Sequence, residues 1–381
     1  MPDKHLHIIA FDIPYPPNYG GVIDVFYKLK TLHKKGVKII LHCFEYPGRD
    51  RAPKLNEFCE SVYYYPRILG IGPAISVKPY IVAGRRSEML MQNLLKDDYP
   101  ILFEGLHSCF YLSDKRIRSR FKIYRESNIE HRYYFNLFKV EKNLFSKLYF
   151  FQESIKLRLY QKVLKYASLM LVVSEEDTEY LKANFPQKVV KYLPSFHAND
   201  KVDILTGKGT YALYNGNIEV PENAHAVEYL VKDVFTEIDI PLVVAGMNPP
   251  EHIHKMAEAV SNVEIISNPD DEKMFDLIKK AQVNILVTFQ ATGLKLKLLN
   301  TLYRGRFCLV NDKMLNGTGL DSLCDIGNDA SELKERLKEI FTREIEINEI
   351  EKRKEILYSR YSNDINADKL VSLVFENDHH K

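Results

Sequence analysis

Residues 6–44 read LHIIAFDIPYPPNYGGVIDVFYKLKTLHKKGVKIILHCF. The two ends, Leu6–Asp12 and Lys38–Phe44, are nearly continuous apolar runs, as expected of parallel strands that are covered on both faces. Between them, apolar residues recur at the three- and four-residue spacing of one helix face: Val22, Val25, Phe26, Leu29 and Leu32. Gly36 follows, where a glycine commonly ends a helix. The stretch therefore predicts a strand, a helix and a second strand of a parallel α/β sheet.

The same alternation runs through most of the 381 residues. In the first half, further strand-like runs are Ser61–Tyr65, Ile101–Glu104, Phe121–Arg125, Leu169–Ser174 and Val189–Leu193. The segment Pro194–Gly209 has little periodicity, which is typical of a linker. After it, strand-like runs return at Tyr211–Tyr214, Pro241–Ala245, Val263–Ile266, Val283–Phe289 and Phe307–Asn311.

Two successive series of this kind predict two doubly wound, Rossmann-like domains, residues 1–198 and 208–355. Ligands of such sheets bind outside the carboxyl ends of the strands, so two crevices that face each other would form one central cleft. A helical tail rich in Glu, Lys and Arg follows. We expect its last part, about residues 357–381, to pack back on the first domain.

Composition narrows the class of protein. The formal net charge is only +2, which gives no global field that would favour nucleic acid. No run of about 18 apolar residues occurs, and the opening MPDKHLHIIAFD lacks the pattern of a signal peptide. The five cysteines form no CxxC pair, which is typical of reduced, buried thiols. We therefore expect a cytoplasmic protein.

The first candidate site is PYPPNYGG at residues 14–21, between the first strand and the first helix. Gly20 and Gly21 would let backbone N–H groups approach a ligand, and a helix N-terminus favours an anion. The pattern is not GxGxxG, so it does not support dinucleotide binding. The alternative is a tight turn that requires a positive φ.

The second candidate site is QATGLKLKLLNTLYRG at residues 290–305, which follows a strand and opens a helix. Lys295 and Lys297 lie near the predicted helix start, where positive side chains oppose the helix dipole. A bound diphosphate would remove that conflict. The alternative is that both lysines are solvated surface charges.

The third candidate site is YNGNIEVPEN at residues 214–223, between the first strand of the second domain and a helix that begins near Asn223. Gly216 at the strand end permits close approach of a ligand. The alternative is an ordinary strand-to-helix turn.

These three segments, in this order and spacing, resemble the family-four retaining glycosyltransferases with the GT-B fold. Two further stretches, SNIE at 127–130 and LMLVVSEED at 169–177, resemble motifs of the same family. The likeness covers most of residues 6–320. It implies a nucleotide diphosphate sugar as donor, a hydroxyl of a glycan or lipid-linked glycan as acceptor, and retention of the anomeric configuration.

The resemblance also implies roles for individual residues. It places Gly20 and Gly21 beside the donor phosphates and the acceptor, and Lys295 and Lys297 at the diphosphate. Within the second candidate site it adds Thr292 and Gly293 to the donor-binding residues.

The resemblance implies roles for residues elsewhere in the chain as well. Asn300 stands where the family usually has a Glu that holds the ribose hydroxyls, and Asn217 stands where many members have an Arg that contacts phosphate. Gly216 and Asn217 open the second domain on the donor side. His107 lies about where a family His approaches the transferred sugar, and the alternative is a structural His.

The reaction implied is transfer by front-face departure, because the sequence shows no pair of carboxylates at a spacing that suits a double displacement. No DxD motif ends a strand, so no metal is expected, and Asp97, Asp98, Asp270 and Asp271 are expected to be solvated. No cofactor besides the nucleotide sugar is implied. Two alternatives remain: a sugar-nucleotide epimerase of the same fold, and a non-catalytic nucleotide-sugar-binding protein, suggested by Asn300 and Asn217.

Residues 116–165 hold thirteen Lys and Arg against four Glu, interleaved with eleven Phe and Tyr. Such a segment could dock on an anionic membrane surface or bind nucleic acid, or it could be a helical pair with its aromatics in the core. We expect a peripheral membrane contact on the inner face of the cell membrane, and not nucleic acid, as the partner of this segment.

Overall fold

The computed structural model describes residues 3–141, 143–289 and 295–376. These residues form two compact units. The first comprises residues 3–197 and 363–376, and the second comprises residues 198–289 and 295–362.

The first unit contains a parallel seven-stranded sheet in the order β3-β2-β1-β4-β5-β6-β7. Its strands are β1 His5–Ala10, β2 Lys38–Glu45, β3 Ser61–Pro66, β4 Ile101–Glu104, β5 Lys122–Glu126, β6 Leu169–Val172 and β7 Val189–Tyr192. Its first seven helices are α1 Gly20–Lys34, α2 Ile71–Ala74, α3 Tyr80–Ala83, α4 Glu88–Leu94, α5 Glu130–Val140, α6 Leu144–Tyr160 and α7 Glu175–Asn184. Each strand lies within two residues of its predicted bounds, and Gly36 follows α1 with a positive φ of 77°.

The second unit contains a parallel six-stranded sheet in the order β10-β9-β8-β11-β12-β13. Its strands are β8 Ala212–Asn217, β9 Leu242–Met247, β10 Val263–Ser267, β11 Val283–Leu286, β12 Phe307–Val310 and β13 Asp325–Ile326. Its helices are α8 Pro221–Tyr229, α9 Glu251–Glu258, α10 Asp271–Lys280, α11 Leu296–Arg304, α12 Asp312–Leu315, α13 Ala330–Thr342 and α14 Ile347–Tyr361. The two-residue strand β13 is too short to give a sequence pattern.

The C-terminal helix, α15 Asn363–Phe375, belongs to the first unit and packs against α1. Leu370 and Val371 of α15 share one hydrophobic core with Val25 and Leu29 of α1. The apolar runs of the sequence arise because the sheet is covered on both faces. In β1, Ile8 faces this core and Ile9 faces a second core on the other side.

A network of buried charge joins α1 to β4 and β5 of the first sheet. Lys28 Nζ lies 3.0 Å from Asp24 Oδ2 and 2.6 Å from Glu104 Oε1, and Arg125 lies 3.2 Å from the same Asp24. All four side chains are buried, and each has an opposite charge beside it. Pairing of this kind is what makes buried charge tolerable.

The expectation that Asp97 is solvated is wrong. Asp97 Oδ1 lies 2.9 Å from His7 Nε2 and 3.1 Å from an Arg120 nitrogen. His7 Nδ1 continues the chain to His42 Nε2 at 2.8 Å, and His42 Nδ1 contacts the Tyr65 hydroxyl at 2.8 Å. Burial lowers the pKa of both histidines. Asp97 therefore completes an internal hydrogen-bonded chain across β1, β2 and β3.

In the described residues, no helix is both long enough and apolar enough to cross a bilayer.

Candidate functional site

Each sheet has one point at which its strand order reverses. In the first sheet the reversal lies between β1 and β4, and in the second between β8 and β11. Chain segments leaving such neighbouring strands diverge, and the crevice between them is where ligands of doubly wound sheets bind. Gly20, Gly21 and His107 lie at the first of these positions and Gly216 and Lys297 at the second, and each is described within its own unit.

Gly20 and Gly21 open helix α1 after β1. Neither has the positive φ that a tight turn would require, so that alternative is wrong. Gly21 is needed for space instead, because a Cβ there would lie 2.5 Å from Cζ of Phe11. The helix has no side-chain cap and no acidic residue in its first turn. Its N-terminal N–H groups are therefore available to an anion.

His107 follows β4, on the other side of the strand reversal. Its ring lies against the Phe11 ring, with centroids 5.3 Å apart, so the structure brings it beside the Gly20–Gly21 turn. Burial, with the nearby positive charges of Arg85 and Arg67, holds the pKa of His107 well below its usual range. The imidazole is therefore neutral at neutral pH. Its buried Nδ1 has no hydrogen-bond partner within the described chain.

Glu130 is a site residue that the sequence interpretation did not select, although it ends the SNIE stretch. It is the first residue of α5, it is buried, and its Oε1 lies 3.8 Å from His107 Nδ1. Burial raises the pKa of Glu130 to about 8. A carboxyl group that is mostly protonated thus faces a neutral imidazole. The signal in the sequence was its place directly after a strand at the carboxyl edge.

In the second unit, Gly216 near the end of β8 lies beside Lys297 of α11. A Cβ on Gly216 would lie 3.1 Å from Lys297 Nζ. That Nζ donates to Asn223 Oδ1 at 2.8 Å and lies 5.4 Å from the centroid of the Tyr214 ring. Burial lowers the pKa of Lys297 to about 8, an effect opposed by the charge of Glu222. The structure therefore brings Gly216 and Lys297, which the sequence selected separately, next to each other.

Asn223 organises this end of the sheet. Its Oδ1 also accepts from the Tyr214 hydroxyl at 3.2 Å, and its Nδ2 donates to the Asn217 carbonyl at 2.7 Å. Helix α11 begins directly before Lys297, with no side-chain cap and no acid in its first turn. An ammonium group is thus held at an uncapped helix N-terminus, where the helix dipole repels it unless an anion binds there.

The other site residues predicted in the second unit make separate contacts. Asn217 accepts from the Glu219 amide at 3.2 Å and so stabilises its own turn. Lys295 Nζ lies 3.5 Å from the Lys313 carbonyl. Asn300, one turn along α11, accepts from Asn199 Nδ2 at 2.8 Å. Thr292 and Gly293 lie outside the described residues.

In residues 3–141, 143–289 and 295–376, no group of three or more His, Cys, Asp or Glu side chains is placed to hold a metal ion.

Comparison with known proteins places this geometry in a class. No family model matches the chain. A protein of Klebsiella pneumoniae, described as an uncharacterized 44.6 kDa protein in the cps region, is 25% identical over 332 residues, 82% of this chain and 84% of that protein.

Among solved structures, WaaG, a glycosyltransferase involved in lipopolysaccharide biosynthesis, aligns with a TM-score of 0.65 at 13% identity over 98% of this chain and 100% of its own. HepE of Anabaena, in complex with UDP and glucose, also aligns with a TM-score of 0.65, at 10% identity over the same shares. The chain therefore has the predicted GT-B fold, an α/β architecture of two parallel sheets with their helices.

Proposed function

We propose that the protein is a family-four retaining glycosyltransferase, which transfers a sugar from a nucleotide diphosphate donor to a hydroxyl of a glycan or lipid-linked glycan. The observation that carries the proposal is Lys297. Its ammonium group is half-buried at an uncapped helix N-terminus, beside a glycine at a strand reversal. A diphosphate would supply negative charge at this helix N-terminus, beside the ammonium group.

In the proposed reaction, Lys297 stabilises the charge that develops on the leaving diphosphate. Asn223 positions the Lys297 ammonium group, and the N–H groups at the start of α11 bind the same charge. In the first unit, neutral His107 and protonated Glu130 provide hydrogen-bonding groups for a sugar hydroxyl. Neither is a strong base at neutral pH, which fits front-face transfer, where the departing phosphate takes the proton of the acceptor hydroxyl.

We expect one nucleotide series to stabilise the protein in a thermal-unfolding panel of UDP, GDP, ADP, CMP and their common sugars. A ligand at a hundred times its Kd stabilises by about 2.7 kcal/mol, which raises the midpoint by several degrees. The shift should be smaller in Lys297→Ala and unchanged in Lys255→Ala, a solvent-exposed control in the same unit. No shift with any nucleotide would contradict the proposal, and conversion of the donor sugar without an acceptor would favour an epimerase.

We also propose that the hairpin of α5 and α6 docks the protein on an anionic membrane surface. The expected segment, 116–165, is too long, because residues 120–126 run into the buried strand β5, where Lys122 donates to the Leu112 carbonyl at 3.1 Å. From residue 130 on, the aromatics are mostly outside the core. In these two helices the buried residues are Glu130, Glu153, Ser154 and Leu157.

The exposed apolar groups of this hairpin form a surface with those of residues 68–77. Phe145 is 84% exposed and Val77 is 96% exposed. Lys156 of α6 donates to the Ala74 carbonyl at 3.2 Å, and the Tyr149 ring contacts the Tyr80 ring, so the two segments are neighbours. The hairpin also carries basic groups among its aromatics: Lys139 lies over the Phe135 ring and Lys147 over the Phe138 ring. Apolar groups between cations suit the boundary of an anionic bilayer.

Sedimentation with vesicles tests this docking surface. We expect binding to vesicles that contain phosphatidylglycerol at low salt, and weaker binding to vesicles of phosphatidylcholine alone. The double variant Leu144→Ser, Phe145→Ser should lose most of the binding, because it removes two of the most exposed apolar side chains. Ile347→Ser, which removes an exposed apolar group of the second unit, is the control. Absence of binding by the unmodified protein would refute the docking.

A further inference from the structure

Three arginines come from different segments of the first unit: Arg49 after β2, Arg67 after β3 and Arg85 after α3. Arg49 lies over the ring of Tyr19, the residue that precedes α1. Arg85 Nε donates to the carbonyl of Phe11 at 2.9 Å, and the Phe11 ring is the one that contacts His107. Charges on both Arg67 and Arg85 act on His107. The arginines therefore belong to the same edge of the first sheet as the candidate site.

Tyrosine rings lie against two of these guanidinium groups. Arg49 lies 5.2 Å from the centroid of the Tyr19 ring, and Arg67 lies 4.5 Å from that of Tyr46 and 5.7 Å from that of Tyr80. Tyr19 and Tyr46 are both exposed, so solvent reaches the cluster from outside. Stacking of this kind orders an arginine and leaves its N–H groups able to bind an anion.

The cluster has more guanidinium groups than carboxylates beside it. Within the described chain, neither Arg67 nor Arg85 has a carboxylate at ion-pair distance, and the Arg67 Nε is buried without a hydrogen-bond partner. Arg49 is partly satisfied, because it donates to Asn18 Oδ1 at 3.0 Å and its Nε lies 3.9 Å from Asp12 Oδ2. Glu130, which also lies at this edge, is mostly protonated at neutral pH.

Buried arginines elsewhere in the same unit are neutralised. Arg125 pairs with Asp24 and Arg120 with Asp97, at 3.2 and 3.1 Å. A buried cation without a partner is unfavourable, and a fork of N–H donors matches the two oxygens of a phosphate or carboxylate. The contrast indicates that the missing anion comes from a ligand.

We propose that Arg49, Arg67 and Arg85 bind an acidic group of the acceptor, a phosphate or a carboxylate. This inference rests on the proposed transferase function, and it narrows the acceptor to an anionic one. The donor diphosphate has the same chemistry and is the other possible source of the anion, since the Gly20–Gly21 turn lies at the same edge.

The experiment uses the full chain saturated with whichever nucleotide stabilises it, titrated by calorimetry with inorganic phosphate or D-glucuronate, and with D-glucose as the neutral reference. We expect both anions to bind in the presence of nucleotide. Binding should be about tenfold weaker in Arg67→Gln, because one charge-assisted contact is lost. Arg86→Gln, an exposed neighbour, should bind like the unmodified protein, and both variants should keep their nucleotide affinity.

Two results would overturn the inference. If nucleotide displaces the anions, the arginines serve the donor, and if Arg67→Gln binds them unchanged, the cluster does not bind them. Arg49→Gln repeats the test should Arg67→Gln unfold. If no nucleotide binds, the proposed transferase function fails, and the same titration of the free protein still decides whether the arginines bind an anion.

Discussion

Replacing Lys297 by alanine is expected to lower the turnover number for sugar transfer about 100- to 1000-fold, the usual effect of removing one preorganised charge from a transition state. The Nζ group donates to Asn223 Oδ1, and Asn223 keeps its hydrogen bond from the Tyr214 hydroxyl when the lysine is shortened. The fold should therefore survive. The measurement is nucleotide release from the donor sugar that the unfolding panel identifies, with Lys255→Ala as the control.

The pH dependence of kcat/KM gives a second test, because kcat/KM follows ionisations of the free enzyme. Lysine is charged below its pKa, and burial lowers the pKa of Lys297 to about 8. The kcat/KM of the unmodified protein should therefore fall as pH rises through about 8. Arginine stays charged over this range, so Lys297→Arg should be slower near neutral pH but should not show that fall. If Lys297→Ala retains the full rate, Lys297 does not stabilise the leaving group.

The fold was predictable because its signal is repeated. Twelve strands of the two sheets gave apolar runs of the expected length, since both faces of each sheet are covered. The two-residue strand β13 gave no such apolar run. The strand order could not be obtained from these runs, because it depends on which helices cross which face.

The site was predictable in part. Lys297 and its partner Asn223 are 74 positions apart in the sequence. Gly216 and Lys297 were selected because Gly216 lies near the end of a strand and Lys297 lies where a helix opens after a strand. Asp97 was misjudged because a loop carboxylate looks solvated until a buried histidine is known to face it. The arginine cluster was missed for a similar reason. Arg49, Arg67 and Arg85 belong to three separate segments, and only the folded sheet brings them together.

The second large effect concerns Gly246, which pairs with Gly216 across β8 and β9. A Cβ on Gly246 would lie 1.9 Å from the carbonyl oxygen of Gly216 and 3.0 Å from Cγ1 of Ile218. Because the first contact is with backbone, the strands themselves must separate. Gly246→Ala should therefore lower the free energy of unfolding by about 3 kcal/mol, at the upper end for overpacking, measured by urea unfolding.

Alanine variants of two other glycines test whether steric overlap causes the loss of stability in Gly246→Ala. Gly72→Ala, in α2, meets no heavy atom within 4 Å and should be neutral or slightly stabilising. Gly216→Ala meets the flexible Lys297 Nζ at 3.1 Å, so it should weaken nucleotide binding with little change in the urea midpoint. Gly246→Ala should lower the urea midpoint and also weaken nucleotide binding, because moving β9 away from β8 also moves Gly216 relative to Lys297. An unfolding midpoint for Gly246→Ala equal to that of Gly72→Ala would mean that the close approach of the two strands does not limit this position.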